Sequence, residues 1–370
     1  MSMTITRNWC WACLLLLGMG VVGCGTEAPD PGDTFDRQAM LENLGTNLIV
    51  PAYQSFAART DALADATEAL AEDLTESKLV AAQATWKAAA LQWKATELYN
   101  LGPVDDLALR TSIDNWPTNA NALENAIADG TTINEAYVHA LGSSSKGLPA
   151  LEYLLFDKEA GNAAILEQLE DDAKRVAYLV ALTQDLRTLA HTLYDAWNPA
   201  AGNYLATFTA ASGKDVGSAT NQLANQLLVL TEEVKNQKLG IPLGKKSMGV
   251  KLPNNVEAWR SSTSLELLQA NVDALKNVFT GQNGSGFDDY LHAVNAQYNG
   301  EALATAITNQ FAVVEQSLAA ISVPLQDALE TENDKVETAY AETQRLVILL
   351  KTDMMSSLGL LVTYSDNDGD

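Results

Sequence analysis

Long stretches of this chain repeat their apolar residues at helical spacing, and the connections between them are short. From Ser77 to Tyr99, residues Leu79, Ala82, Trp86, Ala90, Trp93 and Leu98 fall near one stripe, and such a stripe must be buried against a partner. The same reading predicts helices over Asn162–Trp197, stopped by Asn198-Pro199, and over Asp215–Lys238. A Gly/Pro-rich break from Gly240 to Pro253 follows. Further helices are predicted over Asn254–Thr280, Phe287–Tyr298, Glu301–Ile321 and Leu325–Asp353, with Gly281–Gly286 closing the first of them. Alternating β-branched runs are scarce. The fold class expected is all-α, built as antiparallel bundles.

A break near Asn198–Gly213 divides the body into halves of similar size, so two packed helical bundles are expected, over residues 35–200 and 201–370. No strict short-period repeat points to a solenoid. With 23 Lys and Arg against 47 Asp and Glu, the formal charge is −24. That balance disfavours a phosphate-backbone binder, so no nucleic acid partner is expected. Three cysteines exclude a disulfide-dense scaffold, and 47% hydrophobic residues exclude a disordered chain.

Residues 1–23 read as a targeting segment. Arg7 precedes an apolar stretch from Trp9 to Val22 that is too short to span a bilayer. It ends Val21-Val22-Gly23-Cys24, which resembles a bacterial lipobox, with Cys24 as the lipidated residue. The expectation is a lipoprotein attached to the membrane through an N-terminal anchor, in the cell envelope. Gly25 in place of Asp after the cysteine resembles outer-membrane sorting, with the body on a periplasmic or surface face. Cys10 and Cys13 have redox spacing but lie inside the removed segment. Residues 24–34, with Pro29, Pro31 and two glycines, serve as a flexible linker.

The stretch from Lys146 to Phe156 carries the most chemistry. Gly147 and Pro149 mark a helix start, and Glu152 is an isolated carboxylate in a nearly continuous apolar run. If buried, it needs a cation, a metal or hydrogen-bond donors; a first-turn acid favoured by the helix dipole is the plainer alternative. His191 and Asp195 stand four apart on a predicted helix, more often a surface hydrogen bond than a metal site. His139 and His292 look ordinary. Trp86, Trp93, Trp197 and Trp259 sit at core spacings.

The same stretch resembles the Gly-x-His-x-x-Glu signature of the imelysin family, also classed as peptidase family M75. Other segments agree in order: Leu101-Gly102-Pro103-Val104, Arg110 to Pro117, Val256 to Ser264, Asn277 to Gly281, and the ending Ser365 to Asp370. The resemblance implies two helical bundles with the signature residues near the cleft between them. It also implies metal-dependent proteolysis at the cell surface, or a link to iron uptake. Pro149 stands where the signature has His, so one implied ligand is missing, which counts against an enzyme. The chain has no His-Glu-x-x-His either. The first expectation is therefore a lipoprotein that binds a metal or small ligand in the cleft in connection with iron uptake. Iron or another divalent metal is the implied cofactor, Glu152 the implied metal ligand, and iron-uptake components of the envelope the implied partners. An M75-type peptidase and a non-catalytic partner-docking lipoprotein are the alternatives. The cleft candidates are Arg110, Asp114, Trp116, Glu152, Glu257 and Ser261, with Arg110 expected to pair with Glu152. Glu257 and Ser261 are expected four apart on one helix.

Overall fold

The apolar stripes meet in one continuous core that runs through helices from both parts of the chain. The computed structural model describes residues 34–130 and 132–363. The targeting segment, Cys24, almost all of the linker and the Ser365–Asp370 ending lie outside them. From Phe35 onward the chain forms one compact unit.

The first part contains α1 (Arg37–Asn43), α2 (Val50–Glu72) and α3 (Glu76–Thr96), with a π-helical turn at Leu44–Ile49 joining α1 to α2. Short helices follow: α4 (Pro103–Asp106), α5 (Leu109–Ile113), α6 (Ala120–Asp129), α7 (Glu135–His139), α8 (Gly147–Leu155) and α9 (Gly161–Asp171). Then come α10 (Ala173–Trp197) and α11 (Tyr204–Ala210). In the second part α12 (Ala219–Glu233) runs into a π-helical turn, Val234–Gly240, and an irregular stretch leads to α13 (Ser264–Thr280). The chain closes with α14 (Phe287–Ala293), α15 (Leu303–Ala319), α16 (Leu325–Thr331), α17 (Asn333–Ile348) and α18 (Met355–Leu358).

Helices α2, α3 and α10 pack side by side, with Phe56, Trp93 and Trp197 fully buried among them. A second group is formed by α12, α13, α15 and α17. The two groups meet where α13 lies against α3. The helix starts follow local chemistry. Asp36, Asn119, Asp172 and Ser218 each accept a backbone N–H of the first turn, which satisfies donors that the helix itself leaves open.

Several boundaries differ from the sequence expectation. Asp172 is extended and caps α10, so Asn162–Trp197 is two helices rather than one. The stretch predicted as Asn254–Thr280 begins as a single 3₁₀ turn, Pro253–Asn255, and is regular helix only from Ser264. Ala258 and Ser262 take left-handed backbone angles there, which an α-helix excludes. Between α14 and α15 the pair Asn299-Gly300, both at positive φ, turns a two-stranded hairpin that pairs Gln297 with Ala302, as Asn-Gly favours.

One backbone contact fixes the position of α8. Gly147 has φ +75, and a Cβ there would lie 2.2 Å from the carbonyl oxygen of Ile113 at the end of α5. Only glycine permits both the angle and the approach. On its other side, Trp86 of α3 donates its indole N–H to the Leu148 carbonyl at 3.0 Å. Gly147→Ala is expected to lower stability by about 2 kcal/mol or more, the cost of a strained backbone plus a forced separation of α5 and α8. Chemical denaturation of the variant beside the parent measures it.

Candidate functional site

Helix α3 buries two charged residues on the stripe that carries its tryptophans. Lys94 lies four residues after Ala90, and Glu97 follows one turn later. Lys94 is 2% exposed, and an ammonium so placed requires anions around it. Three are present. Lys94 Nζ bonds Asp114, lies 2.6 Å from Glu257 Oε1, and is 3.3 Å from Glu97 Oε2. Asp114 follows α5, and Glu257 belongs to the irregular stretch before α13, so two distant segments converge on one side chain of α3.

A second ammonium enters from the other group of helices. Lys238, in the π-helical turn Val234–Gly240, is 3.0 Å from Glu97 Oε2 and 3.3 Å from Glu257 Oε2. It also donates to Asn271 Oδ1 of α13 at 2.7 Å. Asn271 in turn donates to Glu97 Oε2 and to the Lys94 carbonyl, at 2.9 and 3.0 Å. Arg110 closes the cluster. It grips Glu233 with both terminal nitrogens and reaches Glu97 Oε1 at 3.2 Å.

The protonation states follow from this packing. Burial opposes the Lys94 ammonium, but Asp114, Glu257 and Glu97 outweigh it and hold its pKa well above the ordinary lysine value. Burial raises Glu97, yet Lys238, Lys94 and Arg110 bring it well below the ordinary carboxylate range. Glu257 is lowered in the same way, burial being outweighed by Lys238 and Lys94. Asp114 goes the other way. Its burial, with Glu257 and Glu97 close by, outweighs Lys94 and raises it. One carboxylate thus carries the excess of negative charge.

Around the cluster lies a cavity of about 240 Å³, lined by Arg110, Thr111, Trp116, Glu233, Gln237 and Glu257 among others. A smaller one of about 20 Å³ is lined by Trp86, Pro149, Glu152 and Leu267, room for about one water-sized group. Asp114, Trp116 and Glu257 line both. Two atoms in their walls lack a hydrogen-bond partner, Trp116 Nε1 and Glu257 Oε2. The Lys238 contact to that oxygen is an ion pair without hydrogen-bond geometry.

Glu152, in α8, is 4% exposed and lines the smaller cavity. Its Oε1 accepts the Ser261 backbone N–H at 2.8 Å and the Ser261 hydroxyl at 3.0 Å. Burial raises its pKa, and the Ser261 donors and Arg260 only partly offset this. The expected Arg110–Glu152 pair is therefore wrong: Arg110 is held by Glu233 and Glu97, and Glu152 by Ser261. Glu257 and Ser261 do reach the same region, but from a pinned loop rather than from one helix face. Ser264 Oγ donates to the Glu257 carbonyl, Ser261 Oγ to that of Ala258, and Gln326 to that of Trp259.

Among the described residues, no group of three or more His, Cys, Asp or Glu side chains is set to hold a metal ion. The converging carboxylates already hold Lys94 and Lys238 as their cations, so this donor set does not fit a resident divalent metal. His139 pairs with Asp185, at 2.8 Å. His191 bonds Asp61 of α2 at 2.9 Å, not Asp195 as the helical spacing had implied. Trp86, Trp93 and Trp197 are core, whereas Trp259 is only partly buried, with the Arg260 guanidinium over its ring at 4.5 Å.

Sequence reasoning passed over Lys94, Glu97, Glu233, Lys238 and Asn271. The signal for Lys94 was present, since it lies on the Trp86–Ala90 stripe. Lys238 had none, because the π-helical turn shifts its phase.

The family model described as Imelysin, Peptidase_M75, matches residues 49–352. Iron-regulated protein A of Synechococcus elongatus is 28% identical over 339 residues, covering 88% of this chain and 88% of the relative. An imelysin-like protein from Psychrobacter arcticum 273-4 has a crystal structure that superposes with a TM-score of 0.72 at 19% identity, covering 89% of this chain and 97% of that one. A putative iron-regulated protein A precursor from Parabacteroides distasonis gives 0.72 at 18%, with coverages of 90% and 97%. At such identities the two structures speak for the fold.

Two outcomes are expected from the buried charges. Lys94→Met leaves three carboxylates without their shared cation and should cost about 3–5 kcal/mol at neutral pH. In the parent, Glu97 and Glu257 are lowered, so their contribution is present above the ordinary carboxylate range and is lost as pH falls. In the variant the same groups resist ionisation, so the stability gap should narrow toward about pH 4; thermal melting across that range reads both. Glu152→Gln should behave oppositely. A raised carboxyl costs stability when ionised, so the variant should equal or exceed the parent at neutral pH and lose that advantage on acidification.

Proposed function

Since the chain belongs to the imelysin family, we propose that it is a cell-envelope lipoprotein that binds a small charged ligand in the cavity between its two groups of helices, in connection with iron uptake. The observation that carries this is the cavity of about 240 Å³ walled by buried charges drawn from both parts of the chain. Keeping Lys94, Lys238, Glu97, Asp114 and Glu257 away from water is costly, and a fold that needed only stability would do as well with apolar groups. The iron connection rests on the name of a relative alone, iron-regulated protein A. Placement in the envelope rests on the lipobox-like Val21–Cys24, with lipid anchoring to the outer membrane through Cys24 and iron-uptake components of the envelope as partners. No helix among the described residues is long and apolar enough to cross a membrane.

A metal ion, iron above all, as cargo is the second reading; it rests on the name of the relative, iron-regulated protein A, and such an ion would have to displace Lys94 and Lys238 from the carboxylates. Calorimetry on the full chain in detergent, against ferrous, ferric and zinc ions and a panel of small charged metabolites, tests both. One ligand is expected to bind with an affinity that falls about tenfold or more in Glu257→Gln, the scale of one lost charged contact. Casein incubated with the same material should remain intact. Cleavage that disappears in Glu152→Gln would instead make the protein a peptidase. Metabolic labelling with a fatty-acid analogue should mark the parent and not Cys24→Ser.

A further inference from the structure

The hydrogen-bonded cluster holds four carboxylates, Glu97, Asp114, Glu233 and Glu257, against three cations, Lys94, Lys238 and Arg110. One negative charge is left over on the cavity wall. Two wall atoms there lack a hydrogen bond, the first of them only in ion-pair contact with Lys238 at 3.3 Å, and they are of opposite kinds. Glu257 Oε2 is an acceptor on a residue only 6% exposed, and Trp116 Nε1 is a buried donor. Arg110, with its side chain 25% exposed, uses three of its N–H groups on Glu233 and Glu97. A guanidinium has five, so two remain for a ligand.

This pattern is poor for a bare metal ion. A divalent cation wants several free oxygens together at about 2.0–2.6 Å, whereas most of the carboxylate oxygens here are already paired with Lys94, Lys238 or Arg110, and a dication would meet both lysines at close range. An anion alone would meet the surplus carboxylate. A molecule with a cationic nitrogen and a carboxylate satisfies both orphans at once. The nitrogen goes to Glu257 Oε2 and Asp114, and the carboxylate to Trp116 Nε1 and the spare N–H groups of Arg110. A net charge of +1 cancels the excess.

We propose that the cavity binds a basic amino acid, its ammonium toward Glu257 and its carboxylate toward Trp116 and Arg110. The proposal rests on the ligand-binding reading above and names its ligand class.

The test uses three probes on the full chain by calorimetry: L-lysine, cadaverine (the same skeleton without the carboxylate) and hexanoate (the carboxylate without a nitrogen). L-lysine should bind, and cadaverine and hexanoate should each bind about tenfold or more weakly. Trp116→Phe keeps an aromatic ring and removes the N–H. It should weaken L-lysine several-fold and leave cadaverine unchanged. Glu257→Gln should weaken both nitrogen-bearing probes, and melting curves of the two variants confirm that they are folded. Cadaverine binding as well as L-lysine, or L-lysine binding unmoved by Trp116→Phe, overturns the proposal. Ferrous or ferric ion binding in a Glu257-dependent way, with no uptake of L-lysine, overturns it and leaves the cavity reading standing. If neither the metals nor the charged metabolites bind, both readings fall.

Discussion

The structure depends on the fate of one ammonium group. Lys94 carries its charge into the layer where the two groups of helices meet, and in that medium an unpaired charge is far too costly to persist. Its neighbours are therefore obligatory: Glu97 one turn along the same helix, Asp114 after α5, and Glu257 from the far part of the chain. Each of these acids needs a further cation or donor, which brings in Lys238, Arg110 and Asn271. The result is a polar network that crosses the seam between the groups, while an apolar core continues around it. Buried ionic clusters of this kind add little net stability compared with well-packed apolar groups. What they add is geometry, because each carboxylate has one place where its charge is matched.

The helical nature of the chain was legible because periodicity is a local property. The tryptophan stripe of α3, the stop after Trp197 and the Gly281 terminus all read directly from spacing. What spacing does not carry is the phase change between segments. Asp172 looked like an interior residue of one long helix, yet its side chain caps a second. The residues around Ala258 and Ser262 have helical composition, but the polar contacts of Ser261, Ser264 and Gln326 reward a folded loop instead. Tertiary hydrogen bonds override local preference there, and they bring Ser261 to Glu152.

The site was legible in part for a related reason. Arg110, Asp114, Trp116 and Glu257 stood out through resemblance, and the fold gathers them around one cavity. Their pairing was not legible. Arg110 and Glu152 both appeared to need partners, and opposite charge made them look like each other's. The structure satisfies each separately, Arg110 with two acids, Glu97 and Glu233, that sequence reasoning had passed over, and Glu152 with neutral donors. A lysine or glutamate in an amphipathic helix is usually a surface residue, so Lys94, Lys238 and Glu233 gave no reason to be singled out except by the arithmetic of the stripe.

The π-helical turn at Val234–Gly240 has a further implication for how this chain tolerates change. Such a turn fits an extra residue into a helix without lengthening the neighbouring packing. Each residue of an α-helix advances the azimuth by about 100°. Removing a single amino acid within Val234–Gln237 would restore ordinary winding and swing Lys238 off the axis that points at Glu97 and Glu257. The lineage of this segment is thus sensitive to reading-phase events: a one-residue indel there is a far harsher change than most substitutions, although it alters neither hydrophobicity nor charge pattern.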